Sequence, residues 1–205
     1  MALRDAFRYL IPLVALACAF SAGCGDEATS EGADNEARPA KADVEQFLMQ
    51  AGEEPGFMPV GSPQVDSRGE SSGLPPAGLA RLRRSGFVST TFQPISGEDG
   101  TAGVTSVTLF KTDAGALAWM EYETSTKGIR DRGLKTKIRR FTVPGVPSAR
   151  GWTGRDLHGN AIGHVFWVQG RCMLVIGNEG NRPFVEPLSI GAKAIYERTN
   201  GVCPS

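Results

Sequence analysis

Catalytic chemistry in this chain of 205 residues would rest on very few side chains, because it holds only two histidines, His158 and His164. Both fall in one stretch, Arg155-Asp156-Leu157-His158-Gly159-Asn160 and the run that follows to His164. Residues an even number of positions apart on a continuous strand share a face, so the two imidazoles and Asp156 are spaced for an acid–base or metal cluster. Two features weigh against it. Gly159-Asn160 has the composition of a turn, which breaks the register. No further His, Cys or Glu spacing completes a metal set. His164 also alternates with Ile162 and Phe166, the pattern of a hydrogen-bonded histidine in or beside the core. No serine occupies a Gly-x-Ser-x-Gly elbow, and there is no phosphate loop. Asn178-Glu179-Gly180-Asn181 lacks the alternating acidic ligands of a calcium loop and reads as a turn between strand and helix. No metal or cofactor is expected, and the chain reads as non-enzymatic.

Two other constellations suit binding. The aromatics Trp119, Trp152, Phe166 and Trp167 are candidates to line a cavity for an apolar ligand. Lys127, Arg130, Arg132, Lys135, Lys137, Arg139 and Arg140 stand against Asp131 alone, a candidate patch for anionic headgroups, cell-wall polymers or an acidic partner protein. The same charges would also serve as a solvated loop and a lysine-guarded edge strand.

What the four cysteines do depends on where the chain resides, and the first 24 residues decide that. Arg4 and Arg8 precede an apolar run from Tyr9 to Phe20, and small residues follow it. A positive patch, a short apolar segment and a small-residue cut site make a secretory signal. The run is about twelve residues long, and a bilayer span needs roughly twenty. Ser21-Ala22-Gly23-Cys24 resembles the lipobox of bacterial lipoproteins, although Leu is commoner than Ser at the first position. That resemblance implies cleavage before Cys24, lipidation of its thiol and anchoring to the outer face of the cell membrane. Cleavage without lipidation would instead give a secreted protein.

After Cys24 the composition changes. Asp26, Glu27, Glu31, Asp34, Glu36, Asp43 and Glu45 stand against Arg38 and Lys41, with almost nothing apolar between. Residues 24–45 read as an acidic, disordered tether behind a signal of residues 1–23, leaving 46–205 as one domain. The whole chain has 22 basic and 22 acidic residues, but its body keeps 18 and 14, about +4. That is too mild for nucleic-acid binding. Cys18 leaves with the signal, so Cys172 and Cys203 remain for a structural disulfide in an oxidising compartment. They lack the Cys-x-x-Cys spacing of redox sites.

The elements that must position these groups follow from pattern. Val44–Met49 reads as a short helix, Met58–Val65 holds one short strand, and Pro75–Ser85 reads as a helix closed by Gly86. Strands Phe87–Gln93 and Val104–Phe110 form a hairpin with a long loop. Thr112 caps a helix from Asp113 to about Thr126, with Ala116, Leu117, Trp119 and Met120 inward and Glu121 and Glu123 outward. Extended segments follow around Lys135–Val143 and Arg150–Gly154. Ala161–Val168 and Cys172–Gly177 make a second hairpin with Gln169-Gly170 at its turn, and Pro187 opens a last helix to about Thr199. Two strands then a helix, twice over, predict a single α+β domain, a mainly antiparallel sheet with helices packed on one face. This order resembles the Mog1/PsbP-like domains of secreted lipoproteins over about residues 55–200. The expected function is a membrane-anchored, extracytoplasmic protein that binds a surface partner or apolar ligand. An envelope enzyme using His158 or His164 with Asp156 is the alternative.

Overall fold

The computed structural model describes residues 41–132, 134, 137–156, 158–181 and 184–203. The expected signal, Cys24 and most of the expected tether lie outside the described residues. In chain order come α1 (Lys41–Glu45), β1 (Phe57–Pro59), β2 (Gln64–Asp66), α2 (Pro76–Arg84), β3 (Phe87–Gly97), β4 (Ala102–Phe110), α3 (Asp113–Thr124) and α4 (Thr126–Asp131). β5 (Arg139–Phe141), β6 (Arg150–Arg155), β7 (Ala161–Gln169), β8 (Cys172–Gly180) and α5 (Val185–Arg198) follow. The strands form one eight-stranded sheet in the order β1-β3-β4-β8-β7-β6-β5, with β2 also paired to β3. Every pairing is antiparallel. A single α+β domain with an antiparallel sheet is what the pattern of elements predicted.

The helices do not share one face of the sheet. On β8, Cys172, Leu174 and Ile176 join a core with Leu188, Ala192 and Ile195 of α5. Met173 and Val175, pointing the other way, join a core with Ala116, Trp119 and Met120 of α3. The run Cys172-Met173-Leu174-Val175-Ile176 is apolar at every position, which suits a strand covered on both sides and leaves no face for water. Burying both faces of the central strands therefore corrects the one-sided arrangement.

Local chemistry explains most element ends. Pro76 opens α2 at a position where its missing N–H costs nothing. Thr112 Oγ1 accepts from Gly115 N at 3.1 Å to start α3, and Ser125 Oγ accepts from Gly128 N at 3.0 Å to start α4. The hairpin of β3 and β4 is longer than the turn-rich Ser96-Gly97-Glu98-Asp99-Gly100 suggests, because Ser96 already pairs with Ala102. Met58–Val65 resolves into two short strands, both on β3. The expected tether also ends early, since α1 uses Lys41–Glu45 and Val44 is buried.

Behind α1 a strap from Gln46 to Glu54 is fastened across α5. Arg198 holds the Glu53 carboxylate and the backbone carbonyls of Gln46 and Leu48. Glu54 is 1% exposed, and its Oε1 accepts from Asn178 Nδ2 at 2.6 Å. Cys172 at the head of β8 and Cys203 beyond α5 form a disulfide, with Cα atoms 5.6 Å apart, that ties the C-terminal end to the sheet. Intact mass should rise by two hydrogens on reduction. Two alkylatable thiols in the unreduced protein would contradict the bridge.

Candidate functional site

A cavity of about 130 Å³ lies between α3 and the sheet. Its floor is the face that carries Thr90 and Phe92 of β3, Ser106 and Thr108 of β4, Val175 and Glu179 of β8, His164 and Phe166 of β7, and Trp152 of β6. Trp119 of α3, Leu82 of α2 and the segment bearing Arg132 and Leu134 close it from above. Side chains from five strands meet there because antiparallel registers bring same-parity residues side by side: Trp152 opposes His164, and His164 opposes Gly177.

That register builds an aromatic ladder. The Trp152 and His164 rings stack at 4.7 Å and 24°, and His164 and Phe166 at 5.7 Å and 13°. Gly177 makes room for it, since a Cβ there would sit 2.6 Å from the imidazole. Burial, reinforced by the nearby Arg132 charge, pushes the His164 pKa down to about 3. The ring is therefore neutral at ordinary pH and packs as a flat wall.

The cation in the cavity is paired. Arg132 Nε and Nη2 donate to Glu123 Oε2 and Oε1 at 2.7 and 2.8 Å, the fork geometry of a guanidinium on a carboxylate. The Glu123 side chain is 1% exposed and that of Arg132 29%. Burial works against the Arg132 charge, but the Glu123 charge and hydrogen bonds outweigh it and raise the guanidinium pKa. Glu123 thus faces inward, not outward as its charge suggested. It lies four residues after Trp119 and seven after Ala116, on the same helical stripe.

At the other end stands Glu179, 6% exposed. Asn160 Nδ2 bridges Glu179 Oε1 at 3.2 Å and Asp156 Oδ2 at 3.0 Å. Burial first, then the Asp156 charge, raises the Glu179 pKa. Asn178 and Glu179 are not in a turn: β8 continues through them, with Glu179 paired to Ala102 and Ile162. Glu179 Oε2 and Trp152 Nε1 are buried and have no hydrogen-bond partner.

The candidate residues separate accordingly. Trp119, Trp152 and Phe166 line the cavity, and Trp167 does not. Trp167 follows Phe166 on a strand, so it points to the opposite face and packs with the core around α5. Asp156 Oδ1 accepts from the backbone N–H of His158 and Asn160, both at 2.8 Å, which folds the β6–β7 turn expected at Gly159-Asn160. His158 sits in that turn and His164 in the middle of β7, so no continuous strand joins them. Among the described residues, no group of three His, Cys, Asp or Glu is placed to hold a metal ion.

The basic interval is not one patch. Arg132 turns into the cavity wall, Lys127 pairs with Asp131 at 2.6 Å, and Arg140 donates to Thr126 Oγ1 at 3.0 Å. Arg130, Lys137 and Arg139 are exposed, and Lys135 lies outside the described residues. Phe92, Glu123 and Glu179 were not among the sequence candidates. The helical stripe of α3 pointed to Glu123, and strand parity from Met173 pointed to Glu179.

No protein-family model and no curated protein matches the chain. Among solved structures, the extracellular domain of PknH from Mycobacterium tuberculosis superposes with a TM-score of 0.53 at 16% identity, covering 80% of this chain and 98% of that one. A putative uncharacterized protein from Mycobacterium smegmatis gives a TM-score of 0.41 at 9% identity, covering 72% and 90%. At such identity the first likeness is one of fold. Among the described residues no helix is long and apolar enough to cross a membrane.

Proposed function

We propose that this chain is an extracytoplasmic lipoprotein, held to the membrane by lipid on Cys24, whose domain binds a small apolar ligand between α3 and the sheet without transforming it. The observation that carries the reading is the cavity of about 130 Å³ walled by Trp119, Trp152, Phe92 and Phe166. An apolar cavity of roughly 150 Å³ accommodates benzene, so a ring or short alkyl group matches this space. The bridge between Cys172 and Cys203 suits an oxidising compartment, and a neighbour of matching fold is an extracellular domain. The engagement of the polar groups supports binding without chemistry: His164 is held neutral, and the Arg132 fork is committed to Glu123.

Toluene should bind the purified protein and shift its tryptophan fluorescence. Ser106→Phe, which places a ring in the cavity, should abolish the shift while leaving a cooperative melt. Toluene binding unaffected by Ser106→Phe would place the ligand elsewhere and refute the reading. For the anchor, Cys24→Ser is expected to move the protein from the membrane fraction to the medium. A mutant that pellets like the parent would exclude lipid as the tether.

A further inference from the structure

The cavity is largely apolar, yet two of the residues that line it each carry a buried polar atom without a partner. Glu179 Oε2 and Trp152 Nε1 make no hydrogen bond, although their residues are only 6% and 1% exposed. A buried polar atom without a partner costs about 1–3 kcal/mol. Charge shows which kind of group Glu179 would receive. Arg132 is neutralised by the fork to Glu123, and His164 carries no charge, so Glu179 is the acid that lines the cavity, its Oε2 takes no hydrogen bond, and the nearby His158 offsets only part of what burial and Asp156 do to raise its pKa. Asp156, held beside it through Asn160, adds negative charge at the same end. Around the cavity stand the faces of Trp119, Trp152, Phe92 and Phe166. Aromatic faces attract cations, and an ammonium makes a charge-assisted hydrogen bond to a carboxylate.

We propose that the ligand is a small organic cation, with its apolar body against the aromatic walls and a primary ammonium donating to Glu179 Oε2. This rests on the apolar-ligand reading and adds the polar end of the molecule. A ligand carboxylate would meet the Glu179 and Asp156 charges, and a plain hydrocarbon would leave Oε2 unpaired. A carbonyl or hydroxyl oxygen on the same ligand would accept from Trp152 Nε1.

The test compares benzylamine, toluene and benzoate, matched in ring size, by calorimetric titration of the purified protein at neutral pH. Benzylamine is expected to bind about tenfold more tightly than toluene, and benzoate more weakly than either. In Glu179→Gln, checked for a cooperative melt, the ratio of benzylamine to toluene affinity should fall to about one. Toluene binding with no preference for benzylamine overturns the cation inference and leaves the apolar site standing. A preference that survives Glu179→Gln also overturns it. Binding of neither probe overturns both readings.

Discussion

Glu54→Gln is expected to be more stable than the parent at pH 8 by about 3 kcal/mol, and of similar stability at pH 4. Burial raises the Glu54 pKa from 4.5 to about 7, against the lowering effect of its hydrogen bond from Asn178. Geometry points the same way. Glu54 Oε2 and Asn178 Oδ1 are both buried without partners, and a proton on Glu54 removes the charge that this burial penalises. The charged neighbours on the strap and on α5, Glu53 and Arg198, are paired with each other. Because the folded pKa lies above the unfolded one, folding takes up a proton between pH 4.5 and 7. The contribution is complete below 4.5 and is lost as the pH rises through 7. Each unit of difference is worth about 1.4 kcal/mol, which gives the magnitude above. A glutamine amide replaces the acid proton at every pH. His164 titrates in the opposite sense, since its folded pKa of about 3 lies below the ordinary 6.5, so stability falls as acid charges the unfolded histidine. The two slopes oppose each other in the parent, and the difference between parent and variant isolates Glu54. Urea unfolding at pH 4, 6 and 8 measures it, and parallel curves for the two proteins would show that Glu54 does not hold a proton.

Arg132→Ala should cost about 3 kcal/mol, the lower end of the range for breaking a buried ion pair, because the arginine side chain is 29% exposed. The loss comes from Glu123, whose side chain is 1% exposed and would be left with an unpaired charge. Replacing both partners, Arg132→Met with Glu123→Leu, is expected to recover most of it, since an apolar pair leaves no charge to solvate. Chemical denaturation of the three proteins decides the matter. A single variant within about 0.5 kcal/mol of the parent would mean the pair behaves as an exposed one.

The order of elements was readable because it rests on local rules: proline at the start of α2, Thr112 before α3, and alternation in the two long hairpins. What was missed had two physical sources. Charge is a poor guide to exposure here: Glu123 sits on the apolar stripe of α3, and Asn178-Glu179 continue β8, although their polarity suggests a helix surface and a turn. Arg132 reaches Glu123 from nine residues on, across the break between α3 and α4, and Glu54 reaches Asn178 across 124 residues, a contact that no short window of sequence contains. Adjacency in the chain is not proximity in the fold. Phe166 and Trp167 are neighbours in the chain, but a strand sends them to opposite faces. The run from Cys172 to Ile176 had signalled those two covered faces. The cavity depends on how α3 stands off the sheet, and a linear pattern carries no record of that gap.

The most direct measurement is a crystal structure of the protein soaked in toluene. Density for one ring between Trp119 and the Trp152–His164–Phe166 ladder is the expected result. Ordered water alone in that space, or side chains closed over it with toluene bound elsewhere, would contradict a ligand site between α3 and the sheet.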